Sequence, residues 1–148
     1  MKSKRFEPIQ EVVARSADEL QRAMADSQRR LAELERQHEQ LTLYREDYIC
    51  KATQSNAAMD AVRLQNYRAF LDRLTDVIRL HVQKLGVARA EYEARRTLWS
   101  DKRVEAETLS RAIARFRRDE NQAADRREQR EGDETAMRLV LAATHAAD

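Results

Sequence analysis

The chain is poor in the residues that build compact catalytic domains. Its 148 residues include one cysteine, one proline and two glycines, and aromatic residues make up 5%. Cys50 alone can form neither an internal disulfide nor a cysteine cluster for zinc, a usage that suits a reducing, cytoplasmic compartment. Gly86 and Gly132 stand isolated, so no glycine-rich phosphate loop exists and any ATP must belong to a partner. The basic start, Met1 to Arg5, runs into Phe6, Glu7 and Pro8 and not into an apolar stretch, which argues against a signal peptide. Nowhere do about 18 uninterrupted apolar residues occur to cross a bilayer.

What remains is charged and helix-forming. Charged side chains make up 36% of the chain, with Ala, Leu, Arg, Glu and Gln abundant. The sequence pI is about 8.8, yet 28 basic and 26 acidic residues leave a formal charge of only +2. The two signs are interleaved, whereas phosphate-binding proteins gather positive charge on one face. The arginines from Arg111 to Arg130 resemble the basic arm of a zipper protein. Such arms precede their zipper, however, and Asp119, Glu120, Asp125, Glu128 and Glu131 dilute this one. No nucleic-acid partner and no membrane insertion are expected.

Hydrophobic spacing organises the chain. From Pro8, a residue tolerated in a first helical turn, one stripe runs through Val13, Leu20, Ser27, Leu34, Leu41 and Tyr48. A second runs through Ala17, Met24, Leu31, His38 and Arg45. Together they make a 4-3 heptad seam, which predicts a helix over about 6–51. The period is lost from Lys51 to Met59, where small polar residues collect, so a bend is expected at about 52–59. Asp60 suits the N-cap of a second helix over about 60–131. Its seam steps by threes and fours from Leu64 through Leu71, Leu74, Ile78, Leu85, Tyr92 and Trp99 to Leu109, Ile113 and Phe116. Only His81, Arg95 and Lys102 break the apolar rule.

Folding one helix back on the other pairs Tyr48 with Leu64, Leu41 with Leu71, Leu34 with Ile78, Leu20 with Tyr92 and Val13 with Trp99. The same register sets His38 against Leu74 and Leu31 against His81. The predicted fold is all-α: an extended antiparallel two-helix coiled-coil hairpin with a longer second helix, forming one domain over 1–148 and a rod of roughly 65 Å. In this register the first helix ends opposite about Ala106, leaving Leu109, Ile113 and Phe116 without an intrachain cover. Gly132 is expected to interrupt the second helix, and Asp133 to cap a short terminal helix over 133–146 that carries Met137, Val140 and Leu141.

Nothing in the pattern assembles chemistry. His38, His81 and His145 are placed beside no cysteine or carboxylate cluster, and Cys50 has no histidine to activate it. No catalytic, cofactor-binding or metal residues are therefore assigned. The departure that invites a function is at Phe70 and Val77, which flank the seam and widen the apolar face beyond what two strands bury. An apolar strip of that kind marks a binding surface.

The strings Leu41-Thr42-Leu43-Tyr44-Arg45-Glu46-Asp47-Tyr48 and Asn66-Tyr67-Arg68-Ala69-Phe70-Leu71, on either side of the bend, resemble those of the flagellar export protein FliJ family. Leu74, Ile78, His81, Leu85 and Trp99 with Lys102-Arg103 extend the likeness from about Phe6 to Phe116. The resemblance implies a cytoplasmic component, peripheral at the membrane-bound type III export apparatus and similar in shape to the stalk of rotary ATPases. It implies insertion into a FliI-like ATPase hexamer and contact with the linker of the export gate protein FlhA through Phe70, Leu74, Val77 and His81. By the stalk analogy the ring-facing residues are Val13, Trp99, Leu109, Ile113, Phe116, Arg117 and Arg118. Rival readings are the equivalent injectisome stalk and a coiled-coil scaffold or chaperone for export substrates; export chaperones are further candidate partners.

Overall fold

Phe6, Tyr48, Ser27 and His38 each face a partner on the second helix, and these contacts fix how the chain pairs with itself. The computed structural model describes residues 1–54 and 60–147. It consists of α1, Lys2–Gln54, and α2, Ala61–Ala146. The two helices pack antiparallel, and the described residues contain no strand. This is the all-α hairpin with a longer second helix that the heptads predict. Residues 52–54 of the expected bend are the last of α1, and the remainder of the bend, 55–59, lies outside the described residues. Asp60 caps α2 as expected: its Oδ1 accepts from the Arg63 N–H at 2.7 Å and its carbonyl from the Leu64 N–H at 3.0 Å.

One compact unit joins Met1–Ala17 to Lys102–Asp148. Here α1 begins at Lys2, earlier than the spacing from Pro8 suggests. Pro8 is exposed inside the helix, where it withdraws one backbone donor. The preceding turn stays helical because α2 holds it. Phe6 stacks on Phe116 with ring centroids 5.6 Å apart, and Ser3 is buried with its hydroxyl donating to Glu120 Oε2 at 2.5 Å. The expected overhang at Leu109, Ile113 and Phe116 is thereby corrected, since Ile113 is only 2% exposed. The uncovered part of α2 starts after Glu120 instead. Gly132 does not interrupt it: α2 is a single helix to Ala146, with every residue from Asn121 onward exposed. An isolated glycine costs a helix about 1 kcal/mol, too little to break one with continuous backbone hydrogen bonds.

The other unit, Asp18–Asp101, shows a register one heptad away from the expected one. His38 stacks on His81 and not against Leu74, with centroids 6.0 Å apart. Tyr48 packs on Tyr67 and Phe70 at 5.4 and 4.5 Å. A heptad seam superimposes on itself after seven residues, so leucines do not distinguish one register from the next. The polar residues do. In the expected pairing Arg95 would face Ala17 and Ser27 would face Leu85, leaving a guanidinium and a hydroxyl without partners in the seam. In the observed one Arg95 donates to the buried Ser27 hydroxyl, and Arg45 Nε donates to Thr75 Oγ1 at 3.3 Å. An unmet buried polar group costs about 1–3 kcal/mol, enough to select between registers equal in apolar contact.

Candidate docking surfaces

With the seam residues committed to each other, what is left for partners lies on the flanks. Near the bend, Phe70 is half-buried under Tyr48 and meets Tyr44 edge-on at 6.4 Å. Leu74 and His81 are each 8% exposed, and the His81 Nε2 lies 2.7 Å from the Leu34 carbonyl. Val77 is 49% exposed. Of the four strip residues the resemblance implies, Val77 stands open, Phe70 is partly covered, and Leu74 and His81 are buried. Among the described residues His38 Nδ1 is buried without a hydrogen-bond partner, although its ring stacks on His81.

The second set divides in the same way between interior and surface. Val13 and Ile113 are buried, Leu109 is half-buried, and Phe116 carries the Phe6 ring. Arg117 donates to Glu7 at 2.6 Å, and Arg118 is exposed. Trp99 falls in the other unit, half-buried in its seam. The apolar members therefore hold the helices together, and the arginines lie at the surface. The Ser3 hydroxyl, followed by the Ser3 N–H, holds the Glu120 carboxyl below the usual carboxylate range.

A third surface was not assigned from the sequence. A groove of about 500 Å³ runs between the helices, lined by Arg30 and Leu34 of α1 and by Leu80, Lys84, Val87 and Ala88 of α2 among others. The signal that would have found it is the spacing of Phe70, Val77, Leu80, Lys84 and Val87, each of which sits one residue before a seam position. Among the described residues no group of three or more His, Cys, Asp and Glu is placed to hold a metal ion. Cys50 is exposed. No described helix is long and apolar enough to cross a membrane.

Two covered helices and open flanks describe many coiled coils; the sequence match decides among them. The family model for the flagellar FliJ protein matches residues 1–144. The chain belongs to the flagellar FliJ family. No curated protein and no solved structure matches it. FliJ proteins are non-catalytic components of flagellar protein export, which places this chain in flagellum biogenesis and type III export and associates it with the export apparatus.

Proposed function

We propose that the protein is the stalk of the flagellar export machine: it enters the hexameric, FliI-like export ATPase, promotes ring assembly and activity, and links the ring to the linker of the gate protein FlhA. The match to the FliJ family over residues 1–144 carries this reading. The open Val77 and the half-buried Phe70, on the stretch of α2 that also carries the buried Leu74 and His81, are the surface for the gate linker. Arg117 and Arg118, on the unit that Val13, Leu109, Ile113 and Phe116 hold together, are the contacts with the ring, with Trp99 as an additional one.

The action is mechanical and allosteric. Asymmetric contact with one or two of six identical subunits biases which of them closes on ATP, so the stalk contributes a coupling free energy and makes or breaks no bond. It acts in the cytoplasm, at the membrane-bound apparatus. The ATPase rate and ring assembly of the cognate export ATPase, measured with and without this protein, test the reading. Stimulation of both is expected. No effect on either contradicts the stalk and leaves a scaffold or chaperone for export substrates.

A further inference from the structure

The groove beside Leu34 has features that the seam does not require. In an antiparallel pair, positions one residue before the seam on both helices come to the same side. That is why Tyr44 meets Phe70 there, and why Arg30 joins Leu80, Lys84 and Val87 around one groove. Leu80 is 60% and Val87 62% exposed. Two strands need only their facing stripes, so a further apolar stripe with heptad spacing is the pattern of a helix that packs against a third strand.

The charged residues in the groove lining are Arg30, Lys84 and Glu91, so it leans positive. Four arginines on the same stretches are matched within the molecule: Arg29 by Asp26, Arg36 by Glu33, Arg79 by Asp76 and Arg89 by Glu35. Arg30 and Lys84 enter no ion pair among the described residues, nor does Glu91. The groove lining therefore carries two unmatched cations against one carboxylate.

We propose that this groove docks one acidic amphipathic helix of a partner protein. The apolar anchors of that helix lie over Leu34, Leu80 and Val87, and its carboxylates face Arg30 and Lys84. Leu80 and Val87 are two turns apart, about 10.5 Å of helix rise, which matches anchors at i and i+7 on the incoming helix. The proposal extends the surface around Val77 and in that respect rests on the gate-binding reading. It adds the adjoining groove and the chemistry of what fills it.

The test uses the full chain and two labelled helical peptides with leucines at i, i+3, i+7 and i+10. One peptide carries Glu and the other Lys at the positions flanking the leucines. Fluorescence anisotropy is expected to show the Glu peptide bound at least about ten-fold more tightly. Leu80→Ser with Val87→Ser is expected to reduce that affinity by a similar factor, and Arg30→Glu with Lys84→Glu to reverse the preference. These side chains are exposed, so the unfolding midpoint should not move. Equal affinity for the two peptides, or binding indifferent to Leu80 and Val87, overturns the proposal. So does self-association of the chain that the same double substitution abolishes, because the occupant is then a second copy. Loss of gate-linker binding on Val77→Ser, with peptide binding intact, separates the fate of the groove from that of the gate surface.

Discussion

Up to Glu120, α2 alternates buried and exposed residues in step with the α1 seam; from Asn121 on, the same helix is exposed throughout. The two stretches use similar residue types and share one unbroken backbone. They differ in whether α1 lies alongside. Continuity of a helix and stability of a helix are separate properties, because an isolated helix rests on its own hydrogen bonds and a few surface pairs. In the tail one such pair is Arg138 with Glu134 at 4.0 Å. Surface pairs of this kind contribute only about 0.3–0.5 kcal/mol each. The tail's backbone is thus expected to open locally while the covered stretch opens only with the whole hairpin.

Truncating a side chain in each stretch should break the similarity most sharply. Ile113→Ala removes a buried seam residue and is expected to destabilise the protein by about 2–4 kcal/mol in denaturant unfolding. Leu141→Ala, in the exposed tail, should change stability by less than about 0.5 kcal/mol. Equal effects would mean that the tail is packed in solution.

A smaller effect comes from the two glycines, where an added Cβ would meet nothing within 4 Å. Alanine is favoured over glycine in a helix by about 1 kcal/mol. Gly86→Ala should therefore raise the global unfolding midpoint. Gly132→Ala should slow amide exchange around residue 132 and leave the midpoint where it was. A midpoint shift from Gly132→Ala would show that the tail unfolds together with the hairpin.

The smallest expected effect is a pH dependence at the start of α1. Ser3 bonds the ionised Glu120, whose folded pKa is lowered from the ordinary 4.5. A depressed carboxylate pKa gives stabilisation that is complete above the unfolded value and lost as pH falls through the folded one. Exchange protection of the first turn should hold at neutral pH and drop below about pH 4. Glu120→Gln should remove that dependence without affecting the tail.

The sequence made the fold legible because heptad spacing reports which face of a helix is covered, and the Asp60 cap was legible for the same local reason. The register was not, since sliding the seam by seven residues leaves leucine against leucine. Polar pairings, Ser27 with Arg95, Arg45 with Thr75 and His38 with His81, distinguish the alternatives, and long-range polar pairing has no local signature. The tail was misread because Gly132 carries weight as a helix breaker mainly where a turn favours it. Around the candidate sites, spacing marked Phe70 and Val77 as seam flanks, but it did not show that Tyr44 and Tyr48 cover Phe70. Leu80 and Val87 continue the stripe of Phe70 and Val77, but Lys84 interrupts its apolar run.

The proposed stalk has separate surfaces for the ring and the gate. The most direct test measures ATPase stimulation and gate-linker affinity on the same preparations of wild-type protein and of the Phe70→Ala, Val77→Ala double variant. The variant is expected to stimulate the ATPase as the wild type does while its affinity for the linker falls by about ten-fold or more. Stimulation and linker binding lost together, in a variant that remains folded, would contradict that separation, because one surface would then serve both partners.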